Sequence, residues 1–345
     1  MKPFRRLIYF TNGSIGDFLM VLYFADLARS ADPKIEVHIV APRNKSLFQE
    51  LAAAYPFRIH ECNQRSVRGI LSCMGLGALM FSLNLVILPS TPGKTPISIK
   101  LMGRFLSLRR RSLFVGFKDG SASWRYFDRT FDFDAAILYS ESMAKLARDL
   151  GFQIAARLPQ ISLKKDHAIL ASLDLIPGKY IVLHPCGSSA VRSLSREDIG
   201  AVMDAILSRD PQMNIVITGS EIDKRYLGDS FKGAANVSIA AGSVPMSQLA
   251  AIIAECKLYI GVDTGITHLA SFLGARSLVI SHEASVYYWL PYYNPSARIL
   301  YSIHGCMHGM HEGLEHLKSC YDETDRYLIG VPRGVILKAL SDISL

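Results

Sequence analysis

The chain lacks the marks of an exported protein. Its first residues, Met1-Lys2-Pro3-Phe4-Arg5-Arg6, run directly into a strand-like segment with no small-residue cleavage site, so no secretory signal is expected. Its six cysteines (62, 73, 186, 256, 306 and 320) are scattered, which argues for reduced thiols in the cytoplasm over a disulfide framework. No charge falls between Arg68 and Lys94, and Ile70 to Leu88 is mostly apolar, long enough to span a bilayer. Gly69, Gly75, Gly77 and Asn84 break that run into a helix-like piece and a strand at Leu85–Leu88, stopped by Pro89, so a buried helix and strand explain it better. Two nucleotide motifs are missing. The turn Gly13-Ser14-Ile15-Gly16-Asp17 does not have G-x-G-x-x-G spacing, and Pro92-Gly93-Lys94-Thr95 ends like a P-loop but has Leu88 where the first glycine is needed. No basic face with interleaved aromatics appears, which argues against a nucleic-acid partner.

What is present is a folded chain of two-domain size: 345 residues, half of them hydrophobic and a fifth charged. The net charge of +8 suits a partner with phosphates or carboxylates, or an anionic membrane surface. Strand-like and helix-like segments alternate. Arg5–Phe10, Ile35–Val40, Arg58–Cys62, Leu85–Leu88 and Leu113–Phe117 read as strands. Phe18–Ala28, Leu47–Tyr55, Ser98–Leu106 and Ala135–Leu150 read as helices. Phe152–Gly178 has no strong pattern and reads as a link. The alternation restarts with strands at Tyr180–His184, Asn214–Thr218, Asn236–Ala240, Lys257–Val262 and Ser277–Ser281. Helices are expected from Ser195 to about Leu207, from Pro245 through Ala254, over Leu269–Gly274 and over Val331–Leu340. The fold class is α/β: two Rossmann-like, doubly wound sheets with a cleft between them.

Three turns carry chemistry. In the first, Gly13-Ser14-Ile15-Gly16-Asp17, the acid can simply start a helix, or it can take a proton from an attacking hydroxyl at the carboxyl edge of a sheet. In the second, His184–Arg192, small residues let backbone approach a ligand, and Ser188, Ser189 and Arg192 can contact phosphate oxygens; an ordinary surface loop fits the same composition. In the third, Asp263-Thr264-Gly265-Ile266-Thr267-His268, a buried strand feeds a helix through a polar, glycine-containing turn, which offers backbone N–H groups to a phosphate. Asp263 would repel phosphate and is expected to orient the turn or accept bonds from hydroxyls.

Together these turns resemble glycosyltransferase family 9, the heptosyltransferases of the lipopolysaccharide core. The resemblance rests on Gly16-Asp17, on Val182–Ser189, on Asp263–Ala270 as Asp-(Ser/Thr)-Gly-x-x-His-(Leu)-Ala, and on Cys306 and Cys320 before a last helix. It implies a GT-B fold, with a first domain (1–165) binding the acceptor and a second (178–325) binding a nucleotide-sugar. The terminal helix (326–345) would pack back on the first domain. The implied reaction is inverting and metal-independent, with no cofactor and Asp17 as catalytic base. The resemblance also implies that Ser188, Ser189, Arg192, Glu221, Asp263, Thr264, Gly265 and His268 bind the donor and its diphosphate. Gly13, Ser14, Gly16, Lys94, Lys100 and Arg104 lie on the acceptor side. ADP-heptose is the implied donor and a lipid-linked saccharide the acceptor, met at the cytoplasmic face of the inner membrane. A different donor or acceptor on the same fold, or a non-catalytic nucleotide-binding homologue, are the alternatives.

The sequence departs from the family pattern at two places. Ser193-Leu194-Ser195 follows Arg192, where a lysine followed by Trp-Pro is usual, and Ser281-His282-Glu283-Ala284-Ser285 replaces Gly-Pro-Thr. Asp132-Phe133-Asp134 reads as a helix start despite its metal-binding Asp-x-Asp form. The cluster His304, Cys306, His308, His311, His316 and Cys320 fits no standard zinc spacing. The basic run through Lys94, Lys100, Arg104 and Arg109–Arg111 is either a solvated face or a contact for acidic sugars and lipid headgroups.

Overall fold

Leu7-Ile8-Tyr9-Phe10 and Tyr180-Ile181-Val182-Leu183 are apolar without alternation, the pattern of strands covered on both faces, and each lies inside a parallel sheet. A computed structural model of the protein describes residues 4–63, 85–89, 98, 101, 112–118, 127–132, 138–154, 159–231, 236–242, 244–281, 294–303, 306–308 and 331–345. The chain divides into two compact units, Met1–Lys164 and Lys165–Leu345.

The described elements of the first unit are β1 (Arg6–Phe10), α1 (Ile15–Ala31), β2 (Glu36–Ala41), α2 (Lys45–Leu51), β3 (Arg58–Glu61), β4 (Leu85–Pro89), β5 (Ser112–Lys118), β6 (Arg129–Asp132) and α3 (Tyr139–Asp149). The sheet order is β3-β2-β1-β4-β5-β6, parallel throughout. Helix α1 is apolar on nearly every side, from Phe18 through Ala28, because it is enclosed rather than set on a surface. Phe18 stacks on Phe48 of α2 with centroids 4.1 Å apart, and Phe24 meets the Tyr9 ring edge-on at 5.5 Å.

The second unit contains α4 (Ala168–Ser172), β7 (Tyr180–His184), a 3-10 turn (Ala190–Arg192), α5 (Arg196–Arg209), β8 (Asn214–Gly219), α6 (Glu221–Phe231), β9 (Val237–Ala241), α7 (Met246–Ala254), β10 (Leu258–Val262), α8 (Gly265–Phe272), β11 (Ser277–Ser281), β12 (Ala297–Ile303), β13 (Cys306–His308) and α9 (Arg333–Ser341). Its sheet order is β13-β12-β11-β10-β7-β8-β9, parallel except for the β12–β13 pair. Counted from its own first strand, the second sheet repeats the 3-2-1-4-5-6 order of the first.

Several expectations are corrected. The terminal helix belongs to the second unit. Ile336, Ala339, Leu340 and Ile343 of α9 and the residues after it join the core formed by Ile199, Val202 and Ile206 of α5. Arg209 donates to the carbonyls of Leu340 and Ile343 at 2.7 Å each, covering acceptors that a helix end leaves open. Arg333 pairs with Asp198 at 2.6 Å and Glu197 at 2.9 Å. The segment read as a link contains α4, and Asp166 accepts from Gln248 of α7 at 3.1 Å. Helix α6 and strands β6, β12 and β13 were not expected. The helix 98–106, the histidines and Cys320 beyond 308, and the basic run fall mostly outside the described residues. Among the described residues, no helix is long and apolar enough to cross a membrane.

Candidate functional site

In each sheet the chain turns outward in opposite directions from one pair of neighbours, β1 and β4 in the first and β7 and β10 in the second. Ligands of open α/β sheets bind beyond the carboxyl ends of such strands. The three turns singled out in the sequence follow β1, β7 and β10.

In the second unit, β7 and β10 are hydrogen-bonded neighbours with His184 opposite Gly261, so the loops that follow them meet. The β7 loop is tied back on itself. The Leu194 N–H donates to the Pro185 carbonyl at 2.9 Å, the Gly187 N–H to Ser193 Oγ at 2.9 Å, and Ser193 Oγ to the Ser189 carbonyl at 2.8 Å. Gly187 approaches Arg192 so closely that a Cβ there would lie 2.7 Å from the Arg192 carbonyl oxygen. This folding carries Arg192 across to the β10 turn. Its guanidinium donates to the Asp263 carbonyl at 2.8 Å and lies 3.6 Å from the Asp263 carboxylate, with Ser188 Oγ at 3.3 Å.

The β10 turn is a hydroxyl-capped helix start. Thr264 is the N-cap of α8, accepting from the Thr267 N–H at 3.4 Å. The helix therefore begins at Gly265, inside the motif, four residues before the expected start. Thr267 is buried, donates to the Val262 carbonyl at 2.5 Å and shares a 3.0 Å hydrogen bond with Tyr259. The first-turn N–H groups have no acceptor within the helix, and no acidic residue lies in that turn. His268 is buried 4.0 Å from the Asp263 carboxylate. Burial, followed by the charge of Arg192, pushes its imidazole down to about 4, so it is neutral near pH 7 and can donate a hydrogen bond without adding charge. His184, 2.9 Å from Thr218 Oγ1, is pushed down to about 4 by burial. Cys186 is pushed up to about 12, chiefly by burial, so the loop offers no thiolate nucleophile near neutrality.

Glu221 opens α6 at the end of β8, is exposed, lies 3.8 Å from Lys224 and has its carboxylate over Gly242. Ser188, Arg192, Asp263, Thr264, Gly265 and His268 are thus brought together. Ser189 contributes its backbone to the same loop, and Glu221 stands beyond the next strand, β8.

In the first unit the cap of α1 is Ser14, not Asp17. Ser14 Oγ accepts from the Asp17 N–H at 3.2 Å and donates to the Asp17 carboxylate at 2.5 Å. Asp17 therefore sits at the third helical position, 6% exposed, beyond the carboxyl end of β1. Gly13 has φ +92°, a left-handed conformation that favours glycine, and its carbonyl accepts from Asn44 at 3.1 Å. Gly16 lies in the first turn of α1. Lys94, Lys100 and Arg104 lie outside the described residues, as do 282–285.

Sequence reasoning missed Ser193 and Thr267, which hold the two loops of the second unit. The T-x-x-T spacing of Thr264 and Thr267 at a helix start was the available signal for the latter; nothing local marked Ser193.

The sequence pattern of glycosyltransferase family 9 (heptosyltransferase) matches residues 105–318, more than half of the chain. No curated relative matches at the level of sequence. Among solved structures, a glycosyl transferase family 9 protein from Veillonella parvula aligns with a TM-score of 0.72 at 13% identity, covering 99% of this chain and 98% of that one. The ADP-heptose lipopolysaccharide heptosyltransferase II of E. coli aligns at 0.67 with 16% identity, covering 98% of each chain. E. coli heptosyltransferase WaaC with ADP aligns at 0.59 with 17% identity, covering 92% of this chain and 99% of that one. The fold is the α/β, parallel-sheet fold of GT-B glycosyltransferases. The chain belongs to glycosyltransferase family 9, the heptosyltransferase family, and is a glycosyltransferase.

Proposed function

We propose that the protein transfers a heptose from ADP-heptose to a lipopolysaccharide-type glycolipid, with inversion at the anomeric carbon and without a metal ion. The observation that carries this reading is the Arg192 guanidinium, bonded at 2.8 Å to the carbonyl of Asp263 immediately before the Thr264 cap of α8. A cation beside a helix N-terminus with no acid in its first turn suits a diphosphate. As the sugar becomes oxocarbenium-like, negative charge develops on the leaving diphosphate. Arg192 and the first-turn N–H groups stabilise it from fixed positions, so no metal is needed. Neutral His268 donates a hydrogen bond, Ser188 and Ser189 complete the loop, and Glu221 accepts from nucleoside hydroxyls. Asp263 holds Arg192 and keeps it from solvent.

The first unit takes the acceptor. Asp17 is the base: its carboxylate removes the proton of the attacking hydroxyl while Ser14 holds it in place. Gly13 and Gly16 let the acceptor approach the backbone, and Lys94, Lys100 and Arg104 contact its anionic groups. The acceptor's lipid brings the enzyme to the cytoplasmic face of the inner membrane. The donor reading is supported by two structures of one relative of the same fold, heptosyltransferase WaaC with ADP and with ADP-2-deoxy-2-fluoro heptose.

The test is transfer by the purified protein from ADP-heptose to truncated lipopolysaccharide cores in EDTA, with the product's anomeric configuration read by NMR. Inverted product under chelation is expected. Transfer only from another nucleotide-sugar overturns the donor assignment, and nucleotide binding without any transfer overturns the catalytic one.

A further inference from the structure

A cavity of about 290 Å³ lies in the first unit between α3 and the edge pair β5–β6, lined by Phe117, Arg129, Phe131, Ser142, Lys145 and Asp149 among others. It is separate from the Asp17 turn: β4 and β5 stand between β1 and β6, a lateral separation of about 14 Å at ordinary strand spacing. Ser142, Lys145 and Asp149 fall on one stripe of α3, at i, i+3 and i+7. Phe117 and Phe131 are paired across the sheet, and Arg129, two residues before Phe131, shares its face. The Arg129 guanidinium lies 4.9 Å from the centre of the Phe131 ring. Neither Arg129 nor Lys145 has an ion-pair partner among the described residues, although Asp149 lines the same cavity. Ser142 is 6% exposed, and its Oγ has no hydrogen-bond partner among the described residues.

From this arrangement we infer that the cavity is a binding site for a small anionic saccharide, one pyranose carrying a phosphate or a carboxylate. Two cations address the anionic group, Asp149 addresses ring hydroxyls, and the phenylalanines offer an apolar wall for the C–H face of the ring. The size suits one sugar unit rather than an oligosaccharide, being at the lower end for ligand pockets. The inference rests on the first unit alone and does not depend on the nucleotide-sugar assignment.

The test is calorimetric titration of the full-length protein with glucose 6-phosphate, glucuronic acid, glucose and inorganic phosphate, with ADP titrated separately. At least one of the two acidic sugars should bind saturably, and more tightly than glucose or phosphate. Lys145→Gln and Arg129→Gln should each weaken that binding by about tenfold, the loss of one charge-assisted contact, with ADP affinity unchanged. Lys145 is exposed, so its replacement keeps the test valid if the Arg129 variant fails to fold. Absence of saturable binding by both acidic sugars overturns the inference, as does equal affinity in the wild type and Lys145→Gln. Inorganic phosphate binding as tightly as glucose 6-phosphate reduces the site to a bare anion site and also overturns it. If ADP fails to bind while an acidic sugar binds, the donor assignment falls and this site stands.

Discussion

The turns after β1 and β10 are built on one plan and end with opposite electrostatics. Each follows a buried parallel strand, each is capped by a hydroxyl residue, and in each the cap accepts from the N–H three residues on. In the first unit the residue three after the Ser14 cap is Asp17, so α1 carries its own carboxylate in its first turn. In the second unit the residue three after the Thr264 cap is Thr267, so the first turn of α8 carries no acid, and Arg192 is folded in beside it. A helix N-terminus attracts one anion, and the first unit supplies it internally. The same local geometry thus makes one turn suited to handling a proton and the other suited to holding a phosphate.

The sharpest way to break this comparison is to remove the carboxylate. Asp17→Ala should lower the rate of transfer by about a thousandfold, within the range for loss of a general base, while ADP affinity measured by calorimetry changes by less than about threefold. Retained turnover would make Asp17 only the partner of the Ser14 cap.

Acid should weaken both units next. The buried imidazoles of His184 and His268 in the second unit and His38 in the first are each held down at about 4 by burial, against 6.5 unperturbed. The folded chain therefore binds fewer protons than the unfolded chain between those values. Stability is full above about pH 6.5, drains as pH falls below it and stops falling below about pH 4. Each group accounts for up to about 3 kcal/mol. Each unit holds two imidazoles lowered in this way, because His60, bonded to His38 at 2.9 Å, is also pushed down by burial, so both units should lose stability. Urea unfolding followed by hydrogen exchange at pH 7, 5 and 4 would show this. Unfolding free energies unchanged from pH 7 to pH 4 would contradict it.

Removing the cation tests the other turn. Arg192→Ala should weaken ADP binding by roughly 10–100-fold, as for loss of a hydrogen bond to a charged group, and Arg192→Lys should recover part of it. The smallest effects come from the feature the turns share. Ser14→Ala and Thr264→Ala should each cost about 1 kcal/mol in unfolding free energy, the ordinary value of a cap. A much larger loss at Thr264 would mean that its hydroxyl supports more than α8.

Much of the fold was legible locally. The central strands are apolar over four or five consecutive residues, and strong periodicity at 139–149 and the Ser195–Asp198 cap marked two helices. Of the four edge strands, β3 and β9 were legible and β6 and β13 were not. β6 is four residues, Arg-Thr-Phe-Asp, with three of its positions polar, because an edge position does not demand an apolar run. β12, Ala-Arg-Ile-Leu-Tyr-Ser-Ile, had enough apolar and β-branched character to be found, and was missed. The surroundings of α9 could not be read because its apolar face fits any core. Packing against α5, the bonds that Arg209 donates to Leu340 and Ile343, and the pairing of Arg333 with Glu197 and Asp198, all between residues more than a hundred positions apart, tie it to the second unit.

The sequence by itself determined that two parallel sheets would form and marked the turns to which the proposed chemistry is assigned, because buried strands and capped helix starts are written in neighbouring residues. Tertiary structure decided the rest. The β7 loop folds back so that Arg192 reaches the carbonyl of Asp263, 71 residues away, and burial leaves His268 uncharged beside them. Neither could be read along the chain. A guanidinium's partner depends on which strands are neighbours, and an imidazole's charge depends on how much water the packed structure leaves around it.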